Sequence, residues 1–367
     1  GIVKAVRLEA GSPDVLWQTQ CRKNKLIDRR HEEFASQVMF LEEDNSVIAS
    51  GMHHLYKLDA ITGQPIWRSD SLGSYTQLRP YPTSFLFHDR YLFAGYCGSV
   101  SKIDPATGKS LWRVKMRAGA VSPTVMACFK DVIYLAGAGH VVAVCTDGTV
   151  QWRSQFSQTS TRPVTILHSQ KENHPLLYIG HRGKVHVYNT ESQTQVKEWR
   201  SGTKNFVTMA LASGVLVVGT PLYVWALQPK SMETIWKQSV AGAGNTVALQ
   251  VITDTSGEDV VLACMYHNGE RSNLVSFRLV DGSPRWGSLS IRSGYCNGSA
   301  SMIHHDGYII MGLSGGYIQG LHVAQKTLRF RMTFGRSWIS FATVGGSSDT
   351  HASQPIVQEQ SSSLAIS

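Results

Sequence analysis

Apolar and polar residues alternate with a period of two along most of this chain, as in Val185 and Val187 set against His186 and Tyr188, and the alternation breaks every few residues at Gly, Pro, Asn or Asp. That period belongs to half-buried β-strands, and the near absence of a 3.6-residue period excludes a helical solenoid. The breaks recur within a larger unit. A β-rich run ends in Gly or another small residue, a short turn leads to a second strand, and a polar turn leads to a strand carrying Trp. VIASGMHHLYKLDAITGQPIWR (47 to 68) and LFAGYCGSVSKIDPATGKSLWR (92 to 113) show the unit most clearly. The anchors Trp17, Trp67, Trp112, Trp152, Trp199, Trp236, Trp286 and Phe330 stand 37 to 50 residues apart, a spacing that fits propeller blades.

Each unit predicts four strands, A to D from the axis outward. In the second full unit A lies near Thr83 to Phe87, B is Tyr91 to Gly95, C is Ser99 to Ile103 and D is Ser110 to Lys115. The D-x-x-T-G stretches Asp59 to Gly63 and Asp104 to Gly108 connect C to D, because Asp can accept from the backbone ahead of it and Gly supplies a positive φ. Residues 352 to 367 (ASQPIVQEQSSSLAIS) match 35 to 50 (ASQVMFLEEDNSVIAS) in the A and B positions, and the first residues then continue as C and D. The expectation is an all-β, eight-bladed propeller of four-stranded antiparallel blades, with the closing blade shared by both termini. Seven blades is the alternative. Residues 1–367 are read as a single β-propeller domain. GIVKAVRLEAG has neither an initiator Met nor a signal-peptide pattern, so the chain is read as processed or as a module of a longer protein.

The T-G-x-x-x-W arrangement of Thr62 to Trp67 and Thr107 to Trp112 resembles the tryptophan-docking motif of PQQ-like, or quinoprotein-type, β-propellers. The resemblance implies that each Trp wedges between adjacent blades with its indole N–H on a neighbouring carbonyl, a use suited to a large apolar ring with one polar atom. WD40 repeats fit less well, because Trp is followed by Arg or Lys in five units and no Trp-Asp signature recurs. The family holds quinone-dependent dehydrogenases and noncatalytic scaffold propellers. The dehydrogenases carry an adjacent Cys-Cys pair, and no two of Cys21, Cys97, Cys128, Cys145, Cys264 and Cys296 are adjacent. The resemblance therefore implies the fold and the noncatalytic branch, with no cofactor.

Composition sharpens this reading in two respects. At 42% hydrophobic and 17% charged the chain can bury a sizeable core, and no apolar run reaches the length of a membrane-spanning helix. Cysteines in apolar strand-like runs read as buried reduced thiols and point to an intracellular compartment. The single sequon Asn297-Gly298-Ser299 carries less weight. The formal net charge of +9 fits an acidic protein or peptide partner better than nucleic acid, since no RNA-binding aromatic motif or recognition helix accompanies it.

Alternating strand direction puts the B–C turns and D–A loops on one face. Its D–A loops and turns supply the candidates for partner binding: Arg22, Lys23, Lys25, Arg29, Arg30, Tyr75, Arg79, Lys115, Arg117, Lys204, Arg182, Arg292 and Tyr295. Its B–C turns place His53, His54, Tyr96, His140, His181 and His267 toward a channel, where they read as solvated histidines rather than metal ligands, since no carboxylate accompanies them at a readable spacing. His304 and His305 fall on the opposite face, Trp225 reads as inter-blade core, and Trp338 as a possible ligand contact. With neither a GxSxG elbow, an HExxH helix nor a phosphate-binding Gly loop, no catalytic residue is assigned. The leading reading is a noncatalytic protein-interaction scaffold. The alternative is a glycan- or small-ligand-binding propeller, and a quinone- or metal-dependent enzyme ranks third.

Overall fold

The computed structural model describes residues 2–9, 12–21, 38–50, 54–69, 84–96, 98–116, 124–137, 139–157, 164–169, 175–240, 247–266, 271–292, 301–305, 307–313, 317–333, 339–343 and 362–366. They form eight four-stranded sheets. Seven are antiparallel meanders of consecutive strands, here called blades 1 to 7. Blade 1 runs from Val38–Leu41 to Pro65–Ser69, blade 2 from Ser84–His88 to Ser110–Lys115, and blade 3 from Val125–Phe129 to Val150–Gln155. Blade 4 runs from Thr165–His168 to Thr194–Arg200, blade 5 from Thr208–Ala212 to Thr234–Ser239, blade 6 from Val247–Thr253 to Leu289–Arg292, and blade 7 from Ser301–His305 to Thr327–Thr333.

The eighth sheet joins Ser12–Gln20, Ile2–Glu9, Ser362–Ile366 and Ile339–Thr343 in that order. Both ends of the chain meet in it, but not as the sequence match suggested. Strand A is Ile339–Thr343 rather than a segment of 352 to 361, which lies outside the described residues. Ser362–Ile366 pairs in parallel with strands on both sides. The 18 residues between the two C-terminal strands exceed the dozen that a parallel crossover needs, whereas an antiparallel pair would close with a tight turn. The antiparallel blades thus number seven, and the terminal sheet is mixed.

The chain divides into two compact units. One contains the terminal sheet and blades 1 to 3, the other blades 4 to 7. Within each, neighbouring blades bring their A strands together, as Ser84–His88 against Val125–Phe129 and Val247–Thr253 against Ser301–His305. The core lies between blades, because strand side chains alternate faces. Val47 and Ala49 of blade 1 pack with Val3, Ala5 and Trp17 of the terminal sheet. Ile48, between them, turns to the other face and packs with Phe85, Leu92 and Ile103 of blade 2. Each of the Val, Ile, Leu and Phe side chains among these, fully buried, contributes about 1.5–3 kcal/mol.

Candidate functional site

The C–D pairing repeats one irregularity. In the terminal sheet and in blades 1, 2, 3, 5 and 7 the register skips one residue of strand D, directly before the residue that faces strand C: Trp17 opposite Ala5, Trp67 opposite Lys57, Trp112 opposite Lys102, Trp152 opposite Ala143, Trp236 opposite Ala226 and Phe330 opposite Gly320. A bulge twists the strand and re-aims the next side chain. For Trp17, Trp67, Trp112 and Trp236 it turns the ring toward the neighbouring blade. Trp17 Nε1 donates to Ala60 O at 2.8 Å, Trp67 Nε1 to Pro105 O at 2.9 Å, Trp112 Nε1 to Thr146 O at 3.1 Å and Trp236 Nε1 to Leu279 O at 2.8 Å. Each acceptor lies in the next blade's C–D turn. In the D-x-x-T-G turn of blade 1 Asp59 accepts from the amides of Ile61 and Thr62, and Gly63, at φ +69°, sits where a Cβ would fall 2.5 Å from the Trp17 ring. Gly320 has an equivalent reason to lack a side chain, since a Cβ there would strike Phe330.

Blade 4 departs from the rule. Its bulge precedes Lys197, opposite Val187, so Trp199 stands two residues beyond the docking register. Lys197 Nζ donates to Ser231 O at 3.0 Å, in the next blade's turn, while Tyr178 Oη bonds Pro229 O at 3.3 Å. Trp199 packs edge-on against Trp225 of blade 5 with ring centroids 5.2 Å apart. In blade 6 the pairing of strands C and D begins only at Leu289, and Trp286 instead packs with Met302, Met311 and Leu321 of blade 7.

Hydroxyls make two further joints that the sequence reading missed. Two residues after the Trp, Thr19 bonds Gly63 O at 2.6 Å and Ser69 bonds Gly108 O. At the start of strand A, Ser84 bonds Thr124 O at 2.5 Å and Thr165 bonds Val207 O at 3.1 Å. The readable signals are Trp-x-Ser/Thr and a hydroxyl opening an apolar strand.

The basic residue after the docking residue has a local partner. Arg68 reaches His54 at 3.2 Å, Arg113 reaches Ser99 Oγ at 2.8 Å, Lys237 lies 3.9 Å from the Tyr223 ring and Arg331 lies 4.3 Å from the Tyr317 ring. In blade 4 the charges are exchanged: Glu198 follows Lys197 and bonds Lys184 at 3.1 Å. Lys57 and Lys102 add their ammonium groups to the carbonyls of Pro105 and Thr146 that the Trp rings already use. Much of the basic excess is thus engaged between strands.

The structure places the channel candidates differently from one another. His54, Tyr96 and His181 are buried, not solvated: Tyr96 and His181 are the last residues of strand B in blades 2 and 4, and His54 directly precedes strand C of blade 1. His140 is half-buried. His53 and His267 lie outside the described residues, as do Arg22, Lys23, Lys25, Arg29, Arg30, Tyr75, Arg79, Arg117, Tyr295 and Trp338. Arg292 ends strand D of blade 6. Lys115, at the end of strand D of blade 2, Arg182, in the B–C turn of blade 4, and Lys204, after strand D of blade 4, are exposed. No ion pair joins these three to an acid among the described residues.

Burial governs the titratable groups of the core. It pushes His168, at the end of strand A of blade 4, down to about 4 and raises the thiols of Cys128 and Cys264 to about 12. In blade 6 burial pushes Asp254 up, but hydrogen bonds from Ser256 and Arg285 outweigh it and hold the carboxyl at about 2. Among the described residues no helix is long and apolar enough to cross a membrane.

A family model described as outer membrane protein assembly factor BamB matches residues 97–328, well over half of the chain. The chain belongs to this family of PQQ-like repeats. Among solved structures, BamB from Moraxella catarrhalis is 15% identical with a TM-score of 0.58, covering 82% of this chain and 88% of its own. Sqt1 of Saccharomyces cerevisiae is 11% identical with a TM-score of 0.66, covering 84% and 87%. A quinohemoprotein alcohol dehydrogenase from Pseudomonas putida is 9% identical with a TM-score of 0.58, covering 82% and 67%. No curated protein matches the sequence. At these identities the likeness shows the fold, an all-β propeller of four-stranded blades. The fold of the BamB family is therefore one that also carries an alcohol dehydrogenase, and fold alone does not choose between binding and catalysis.

Proposed function

We propose that this chain is a noncatalytic interaction scaffold, one propeller domain that binds a protein or peptide partner through the face carrying the D–A loops and B–C turns, with an acidic partner favoured. The observation that carries this reading is the division of the cations. Arg68, Arg113, Lys237 and Arg331 on strands D are held by neighbours within the sheets, while Lys115, Arg182 and Lys204 are exposed and make no ion pair among the described residues. Rigid blades presenting variable loops make a general platform for recognition. Membership in a family described as an assembly factor supports the same choice. Cys128, Cys145 and Cys264 are free thiols, which supports an intracellular, reducing location.

The test is affinity purification with the intact chain and with a variant carrying Arg22→Glu, Lys23→Glu, Arg29→Glu and Arg30→Glu. Recovery of a protein only with the intact chain is the expected result. Equal, salt-insensitive recovery with both overturns the assignment of the face, and no partner at all overturns the scaffold.

A further inference from the structure

Strand D of blade 7, Thr327–Thr333, closes its sheet on the outer side, since the order runs from Ser301–His305 through Tyr308–Leu313 and Tyr317–His322 to this strand and stops. Every terminal strand leaves half of its backbone N–H and C=O groups without a ladder partner. Proteins usually defend such edges by shortening them, by placing Pro on them or by mixing charges along them. Four of the other outer strands follow that practice. Pro65 opens the five-residue strand of blade 1 and Pro13 interrupts that of the terminal sheet. Blade 6 ends in a four-residue strand. The seven-residue strand of blade 4 carries Glu198, which neutralises Lys184 and Arg200.

Thr327–Thr333 skips Arg329 as a bulge in its ladder to Tyr317–His322 but, like the six-residue outer strands of blades 2, 3 and 5, has none of these features. It is seven residues long, reads Thr-Leu-Arg-Phe-Arg-Met-Thr and contains neither Pro nor an acid. Leu328 is 47% exposed, and Arg329 and Arg331 are exposed beside Lys326 at the start of the strand. No ion pair engages these three cations among the described residues, and the Arg331 guanidinium is steadied 4.3 Å above the Tyr317 ring. From residue 301 to 333 the sequence has one acid, Asp306. An open backbone edge, an exposed apolar side chain and three unopposed cations therefore coincide on one strand.

We propose that the outer edge of Thr327–Thr333 receives an extended acidic peptide segment of a protein partner as a fifth strand of blade 7. The peptide's backbone would complete the ladder, its carboxylates would face Lys326, Arg329 and Arg331, and an alternate apolar residue would cover Leu328. In strand addition main-chain bonds supply affinity and alternate side chains supply selectivity, and here the selectivity is for negative charge. This surface is an edge strand rather than the loop face, so it can fail or succeed independently of the scaffold reading.

The test uses the full chain and a fluorescent seven-residue peptide alternating Glu and Val. Saturable binding is expected, at least tenfold tighter than for the Lys and Val counterpart. It should weaken at least tenfold when alternate peptide amides are N-methylated, and at least tenfold in the variant Arg329→Glu with Arg331→Glu. The milder variant Arg329→Gln with Arg331→Gln should fall between, with an unchanged melting temperature. Bound peptide should also slow hydrogen exchange of the amides in 327 to 333. Equal affinity for the N-methylated peptide would reduce the contact to charge alone and overturn strand addition. Unchanged affinity in the Glu variant, protection confined to other strands, or no binding would overturn the site. The four-residue variant at Arg22, Lys23, Arg29 and Arg30 should bind this peptide normally, which separates the outcome from the loop-face reading.

Discussion

Gly108 supports the indole of Trp67 from the neighbouring blade: at φ +71° it lies where a Cβ would fall 2.8 Å from Cε3 of that ring. The same ring donates to Pro105 O, three residues earlier in the same turn. Gly108→Ala would force a left-handed L-residue and displace the indole at once, and is expected to cost about 2–4 kcal/mol. Trp67→Phe should cost far less, about 1 kcal/mol, because Lys57 Nζ still bonds Pro105 O. Urea unfolding of the two variants checks the order, and a larger loss from Trp67→Phe would show that the hydrogen bond rather than the close approach dominates.

Lys197 occupies a docking position without an aromatic ring. Its side chain is exposed and contributes one hydrogen bond to Ser231 O, so Lys197→Met should cost about 1 kcal/mol. Trp236→Ala, which empties a buried site and removes the bond to Leu279 O, should cost about 3–5 kcal/mol. Thermal unfolding of the pair measures what the ring adds to the register.

Glu198 and Lys184 reverse the polarity found at the same place in other blades. Lys184→Glu and Glu198→Lys should each lower stability by about 0.5–1 kcal/mol, and the double exchange should recover part of the loss. Additive losses in the double mutant would mean that Arg200, which bonds Glu198 at 2.6 Å, sets the geometry instead.

His168 gives blade 4 a pH dependence. Its folded value is depressed to about 4 by burial, so the unfolded chain binds the proton first as pH falls. Stability from this group is present above the ordinary histidine range near 6.5 and is lost as pH drops from there toward 4, by roughly 3 kcal/mol at most. His168→Gln should flatten the stability profile between pH 6.5 and 4 while leaving the steeper carboxylate region below it. An unchanged slope would assign the loss to other groups.

Repeat period, strand order and the docking of Trp17, Trp67, Trp112 and Trp236 were legible because one spacing rule and one bulge recur along the chain. Strand C of blade 2, Ser99–Ile103, and strand D, Ser110–Lys115, fall at the expected residues. Trp199 misled because a one-residue bulge decides which side chain turns inward, and nothing in QVKEWR states which residue is skipped. The terminal sheet misled because sequence similarity between 352 to 367 and 35 to 50 carries no information on strand direction when a long connection permits either. His54 and His181 read as solvated because turn position was taken for exposure, whereas both are buried at the ends of strands. The sequence assigns Arg68, Arg113 and Arg331 no partner, because their partners come from a neighbouring strand and only the pairing register reveals them.

The mixed terminal sheet also sets a schedule for biosynthesis. Ile2–Glu9 and Ser12–Gln20 are translated about 320 residues before the strands that complete their sheet, Ile339–Thr343 and Ser362–Ile366. At 5–20 residues per second that delay is ~15–65 s. Throughout it Val3 and Ala5, buried in the finished molecule, have no completed sheet to occupy. The hairpin of Ile2–Glu9 and Ser12–Gln20 is therefore a natural client for a chaperone at the ribosome, and a stop before residue 339 would strand it rather than the blades translated just before the stop.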